Sequence, residues 1–358
     1  MNYAPPRPDL RLPPVSVNLY SDTQTRPTAA MKAAMMAAEV GDEQNGQDPT
    51  IWALCDRMAA FLGKEAAVFL PTGTMCNQIA IATHCRPGDE ILAHESAHIL
   101  TSEGSAGAAI AGAQITPLRG PHGQFTAEDV RAALRPRSSR NAPPQALVEV
   151  EQTANSGGGS VWPLARLRQV AEVAHEAGLS THMDGARLTN ATVASGHPAH
   201  EMAAGYDSVW LDFTKGLGAP LGAVLCGSTE FIGRAWRWKQ RLGGAMRQGG
   251  ICAAACLYAL ENNIDRLAED HANAAALAEG LGRIPGIAVE APETNLVFFD
   301  TRGTGLTAAE LQARVRRHGV AFSINSAWRG RACTHLDVSA AQIAGALEVI
   351  RVAVTERR

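Results

Sequence analysis

The sequence predicts an α/β protein in two parts: a large domain built on a mostly parallel sheet flanked by helices, and a smaller C-terminal α+β domain. Two patterns carry this. From Thr28 to about residue 211, short apolar runs alternate with segments of helical period, and strand-helix-strand order demands parallel pairing with helices on both faces. Beyond Gln248 the pattern changes to Ala/Leu-rich helix followed by short strands and two more helices. A chain of 358 residues that is 46% hydrophobic and 19% charged is long enough to bury one large core or two of ordinary size.

The elements follow in order. Residues 1–18 carry five prolines in the first 14 positions and read as an extended arm, because each proline fixes its own φ and biases its predecessor away from helix. Helices are predicted over 28–40 and 50–62, a strand over 66–70, a helix from about 75, and a strand over 90–93 after the turn Arg86-Pro-Gly-Asp89. Further strands are predicted at 114–118, 146–150, 179–183 and 207–211. Between them Pro163 to Ala177 reads as helix, with proline in the first turn and Gly178 as its stop. A long helix over 248–282 leads to strands near 286–290, 295–300, 320–324 and 332–336, with helices over 307–317 and 339–354. The expected domains are an arm at 1–20, a large domain at 21–260 and a small one at 261–358.

Composition excludes several function classes. A net charge of -3 lacks the basic footprint that nucleic-acid binding needs. No segment approaches the ~20 apolar residues of a membrane span. The N-terminus has no apolar run of the signal-peptide kind. Seven scattered cysteines without a CxxC pair read as free thiols in a reducing compartment, so a cytoplasmic location is expected.

Of the 32 basic residues 28 are arginines and only four are lysines, so amine chemistry has four candidates. Lys32, Lys64 and Lys239 lie in surroundings that suggest solvated charge. Lys215 follows the apolar run Ser208-Val-Trp-Leu-Asp-Phe213 and precedes the Gly-rich Gly216-Leu-Gly-Ala-Pro-Leu-Gly222, at a strand end where backbone can approach a ligand. There it is either a surface charge in a turn or an amine able to form a Schiff base with a carbonyl. Upstream, Leu179-Ser-Thr-His-Met183 runs into Asp184-Gly-Ala-Arg187, placing a carboxylate at the carboxyl end of another strand, where ligands of open sheets gather. Earlier still, strand 66–70 enters Pro71-Thr-Gly-Thr-Met75 and a helix, a ready phosphate site. Lysine, aspartate and phosphate cradle in that order suit pyridoxal 5'-phosphate: the carboxylate keeps the pyridine nitrogen protonated while the amine carries the aldehyde.

With these parts in place the chain resembles the threonine aldolase family of pyridoxal phosphate enzymes, of the aspartate aminotransferase fold type. The resemblance covers almost the whole chain, through Ser21-Asp-Thr-Gln-Thr-Arg-Pro27, Gly41-Asp-Glu, Asp48-Pro-Thr50, Phe69-Leu-Pro-Thr-Gly-Thr74, His182-Met-Asp-Gly-Ala-Arg187, Lys215-Gly-Leu-Gly218, Gly243-Gly-Ala-Met-Arg-Gln248 and Thr334-His-Leu-Asp337. It implies retro-aldol cleavage of a threonine-like β-hydroxy-α-amino acid to glycine and an aldehyde, in a homodimer or homotetramer with shared active sites and no metal. By matching position it implies Lys215 as the Schiff-base lysine, Asp184 as partner of the pyridinium nitrogen, and Gly73 with Thr74 as the phosphate cradle. His98 matches a catalytic histidine stacked on the cofactor ring, and Arg247 an arginine reaching the cofactor phosphate. Arg187, at the cofactor, would join Ser21 and Arg331 on the substrate carboxylate, gripped by planar guanidinium forks. Two positions depart from the family: Tyr20 stands where an arginine is usual, and Ala154, in Glu151-Gln-Thr-Ala154, where a second histidine is usual. A β-eliminating lyase or transaldolase on the same scaffold, or a weakly catalytic protein that binds the cofactor, are the alternatives.

Other motifs carry less. His94-Glu-Ser-Ala-His98 matches HExxH, but it begins at a strand end, and Thr101 replaces the glycine of the extended zinc motif. The glycines of 216–222 have the wrong spacing, and a proline, for a dinucleotide loop, and 104–112 lacks the Lys-Ser/Thr of a P-loop.

Overall fold

The computed structural model describes residues 11–356; the part of the predicted arm before Arg11 lies outside them. In chain order the strands are β1 Val17–Leu19, β2 Ala66–Leu70, β3 Glu90–His94, β4 Gln114–Leu118, β5 Gln145–Glu151, β6 Ser180–Gly185, β7 Ser208–Asp212, β8 Ala223–Gly227, β9 Ala288–Val289, β10 Leu296–Asp300, β11 Val320–Ile324 and β12 Arg329–Cys333. The chain divides into a larger unit, Thr25–Glu269, and a smaller one joining the segment that ends at Gln24 to Asp270 onward.

The larger unit carries a seven-stranded sheet in the order β2-β8-β7-β6-β5-β3-β4. Its strands are parallel except β8, which runs antiparallel to both neighbours. Every residue of β3, β7 and β8 is buried, as a sheet covered on both faces requires. The helices obey local rules. In Pro49–Leu62, Asp48 caps the start by accepting from Ile51 N, Pro49 fills the first turn, and Gly63 ends it at φ 63°. Ile51, Leu54, Met58 and Leu62 then repeat at helical spacing on the buried face.

Several expectations are corrected. The helix expected over 28–40 covers only Ala29–Met36. The helix expected over 248–282 is two, Gly250–Asn262 and Leu267–Gly282. Between them Asn263 turns its amide away to donate to Leu217 O at 2.7 Å. β8 had no counterpart in the sequence reading. Two lysines taken as solvated are not: Lys239 is fully buried, paired with Glu43 and 4.3 Å from the Trp236 ring centre. Lys64 donates to the carbonyls of Ala203 at 2.8 Å and Tyr206 at 2.5 Å. Lys32 is exposed as expected.

The smaller unit is a five-stranded sheet, β1-β11-β12-β10-β9. Residues 17–19, expected as part of an arm, form its parallel edge strand, with Val17 opposite Val320 and Leu19 opposite Phe322. That pairing is why the segment before Gln24 belongs with the C-terminal residues. Phe299 and Phe322 meet edge to face at 5.1 Å in its core.

Candidate active site

β6 and β7 pair in parallel from His182 opposite Ser208 to Gly185 opposite Leu211, so Asp184 and the turn after Asp212 come to the same edge of the sheet. Lys215 lies in that turn. Its Nζ donates to Asp212 Oδ2 at 2.6 Å and stands 5.7 Å from the centre of the Trp210 ring. The turn is held at its carbonyls: Lys215 O accepts from Thr25 Oγ1 at 2.8 Å and Gly218 N at 2.9 Å, beside the Asn263 bond to Leu217. Gly218 has φ 76°, a left-handed conformation that favours glycine.

Asp184 is 1% exposed and accepts from Asn77 Nδ2 at 2.8 Å and Ala186 N at 3.0 Å. Among the described residues no cationic side chain is hydrogen-bonded to it. Burial pushes its carboxyl up, opposed by the Asn77 bond and by the charges of Lys215 and His98. A carboxylate so placed accepts a cationic partner and is returned towards its ionised form when one arrives.

Asn77 links Asp184 to a second cluster. Its Nδ2 also donates to Glu103 Oε1 at 2.7 Å, the oxygen that meets His98 Nδ1 at 2.7 Å, while Gln78 holds the other Glu103 oxygen. The Glu103 bond raises the His98 pKa against the opposing effect of burial, and fixes Nδ1 as donor, leaving Nε2 for other work. Glu151 ties two loops to the end of β5 by accepting from His98 N at 3.0 Å and Asn155 N at 2.8 Å. Burial pushes it up to about 7, and the charge of Asp184 adds to this. His98, Glu103 and Asp184 offer ligand atoms within 4.8 Å of one another, but their hydrogen-bonding capacity is largely spent inside the cluster.

Glu149, two residues earlier on β5, is fully buried with neither carboxylate oxygen partnered, and burial pushes its pKa well above the ordinary value. A folded-state pKa raised in this way gives stability that is full below the unfolded value of 4.5 and is lost as pH rises. Glu149→Met is therefore expected to stabilise the chain by about 1–3 kcal/mol, more at about pH 8 than at about pH 5, as read by denaturant unfolding at both.

Gly73 and Thr74 open the helix Gly73–His84, capped by Thr72, which accepts from Met75 N. The first N–H groups of a helix have no partner within it. A side chain at Gly73 would overlap the Trp210 ring, so only glycine lets strand end and helix start approach this closely. Arg187 is 4% exposed, its backbone N bonded to Gln152 O at 3.2 Å and its Nη1 3.5 Å from Asn155 Oδ1. Arg247 stands outside the Asp184 and His98 clusters, its exposed guanidinium paired with Asp42 at 2.8 Å.

Ser21 and Arg331 belong to the smaller unit. Ser21 is buried and accepts from Thr23 Oγ1 at 2.8 Å, and Arg331 reaches Ser323 Oγ at 3.0 Å and Tyr20 O at 3.4 Å. Arg329, its neighbour on β12, is committed elsewhere, bonded twice to Glu290 at 2.8 and 2.7 Å and stacked 4.0 Å from Phe298. The HExxH match dissolves: His94 ends β3 and bonds Ser96 Oγ at 2.8 Å and Gly120 O at 3.0 Å, while His98 starts a separate short helix.

Sequence reasoning missed Asn77, Glu103, Glu151, Asp212 and Trp210. Asn77 and Gln78 are buried one turn into the helix Gly73–His84, and Glu151 closes β5 after the apolar Ala146-Leu-Val148, polar groups among apolar neighbours that require partners.

The sequence matches the family described as β-eliminating lyase over residues 18–304. It is 42% identical over 329 residues to the low specificity L-threonine aldolase of Escherichia coli strain K12, covering 92% of this chain and 96% of that one. It is 39% identical over 334 residues to low-specificity L-threonine aldolase 1 of Arabidopsis thaliana, covering 92% and 93%. The chain belongs to the β-eliminating lyase family. The fold of this lyase is that of Leishmania major threonine aldolase, with a TM-score of 0.81, 21% identity, and coverage of 95% of this chain and 100% of that one. At the two positions expected to depart from the resemblance, Tyr20 is half exposed, whereas Ala154 is 3% exposed in a tight corner where a Cβ on Gly123 would come within 2.7 Å of its own Cβ. An imidazole at 154 would have to displace that corner.

Proposed function

We propose that this lyase cleaves the Cα–Cβ bond of threonine-like β-hydroxy-α-amino acids to glycine and an aldehyde, using pyridoxal 5'-phosphate. The observation that carries the reading is that the buried Asp184 carboxylate, with no cationic hydrogen-bond partner among the described residues, and the Lys215 amine come to one sheet edge. The residues fit the cofactor chemically: Lys215 would hold its aldehyde, Asp184 its ring nitrogen, and the helix start at Gly73 and Thr74 its phosphate. When bound, the cofactor supplies a sink for the electron pair left on Cα.

Everything else is done by the chain. Arg187 is assigned to the substrate carboxylate, and that grip selects which bond at Cα is activated. His98 Nε2, or a water it orders, takes the β-hydroxyl proton; the oxygen lone pair becomes the aldehyde carbonyl as the Cα–Cβ bond breaks. With Ala154 in the family's histidine position, His98 is the imidazole left for this task. Its neutral form is needed, and because Glu103 raises its pKa, cleavage should rise with pH through a value above 6.5. Glu103→Gln is expected to move that limb down in pH, and His98→Ala to lower kcat about 10²-fold, both read from pH-rate profiles.

The resemblance assigns Arg247 to a cofactor phosphate in a shared site of a homodimer or homotetramer; its exposure suits use between copies. The seven free cysteines suit a reducing, cytoplasmic setting, and no helix among the described residues is long and apolar enough to cross a membrane. The test is product identity from L-threonine, L-allo-threonine and L-phenylserine. Glycine with the matching aldehyde is expected, whereas a keto acid with ammonia would replace this reading by β-elimination.

A further inference from the structure

A hydrogen-bonded series runs from Asp184 back through the sheet, and donor accounting orients every member. Trp210 Nε1 can only donate and lies 2.7 Å from Asn77 Oδ1, so the amide oxygen faces Trp210 and the amide nitrogen faces Asp184 and Glu103. His182 Nε2 is 3.1 Å from the same oxygen, which can only accept, so Nε2 carries a hydrogen. Burial pushes the His182 pKa down to about 3, keeping the ring neutral and Nδ1 bare. Ser208 Oγ, 2.7 Å from Nδ1, must then donate to it, and accepts from His84 Nε2 at 2.8 Å. His84 is stacked 4.7 Å from Phe231 and lines a cavity of about 940 Å3 at the amino ends of β5 and β6, the opposite edge from Asp184. Asn77, His182 and Ser208 are fully buried, so a misdirected hydrogen anywhere in the series would leave a group unsatisfied.

We propose that His182, held in one tautomer by Ser208 and His84, is a positioning residue that fixes the Asn77 amide and through it the Asp184 carboxylate. The hydrogen on Nε2 stands on geometry alone and the bare Nδ1 on the burial of the ring, while the consequence for the cofactor rests on the proposed role of Asp184.

The test has two arms. In the wild-type chain without cofactor, nitrogen-15 NMR of the histidine rings should show His182 with hydrogen on Nε2 and bare Nδ1, unchanged from about pH 6 to 9. A ring protonated on Nδ1, or one that titrates in that range, overturns the assignment. In the second arm, pyridoxal phosphate affinity is measured by titration for two variants alongside thermal stability. His182→Phe keeps a ring but loses the donor, and should bind about tenfold more weakly. His182→Gln returns an N–H near the Nε2 position and should bind within about threefold of wild type. Undiminished binding by His182→Phe, or equal loss in both variants, overturns the positioning role. If the wild-type chain itself does not take up pyridoxal phosphate, the functional reading fails while the tautomer result stands or falls independently.

Discussion

Lys215→Ala is expected to lower aldol cleavage more than about 10³-fold and to abolish the visible absorption of covalently held cofactor. The residue is the amine at the sheet edge beside Asp184, and no other lysine can replace it. Lys239 is buried against Glu43, Lys64 is bonded to two carbonyls, and Lys32 is exposed on a helix. Removing the amine also leaves Asp212, whose side chain is 5% exposed, without its cation, so the alanine variant should lose stability as well. Lys215→Arg separates the two effects: it keeps a charge for Asp212 but cannot carry an aldehyde. Regained thermal stability with activity still absent is the expected pair of results. A borohydride-reducible link to the cofactor persisting in either variant would remove Lys215 from its assigned place.

Asp184→Asn has the second largest expected effect, a loss of about 10²–10³-fold in kcat with weaker hold on the cofactor. Its two carboxylate oxygens accept from Asn77 Nδ2 and Ala186 N, so an amide at 184 must turn its own NH2 against one of those donors. Loss of the negative charge removes the group assigned to keep the ring nitrogen protonated. Because the substitution also relieves a buried carboxylate, thermal stability should change far less than activity. Steady-state kinetics within about threefold of wild type would contradict the assignment.

The strands that position the site were legible where they are largely apolar runs set off by Gly, Pro or charged turns, as in β2, β3 and β7, while β6, polar at Ser180, Thr181 and His182, was marked by the Gly178 stop before it. β8 follows a Gly-rich stretch and is the one reversed strand of that sheet, so strand-helix alternation gave no reason to expect it. β1 is three residues long, shorter than any periodicity can report. The charged neighbours of Lys239 suggest a solvated lysine, but its spacing from Phe231 and Ala235 puts it on the buried face of Thr229–Arg241. In the site, Lys215, Asp184, Gly73 and Thr74 could be read from their places at strand ends and a helix start. Asn77, Glu103 and Glu151 could not, since each acts through partners distant in sequence: Asn77 to Asp184 spans 107 residues and His98 to Glu151 spans 53. The Ala154 departure acquires a packing reason only when Gly123 is seen against it.

The most direct measurement of the central claim is the product balance from L-threonine with the enzyme reconstituted with pyridoxal phosphate. Carbon–carbon cleavage at this site predicts glycine and acetaldehyde released in equal amounts, with no ammonia above background and no product from Lys215→Ala. Ammonia and a keto acid in equal amounts, without glycine, would contradict it.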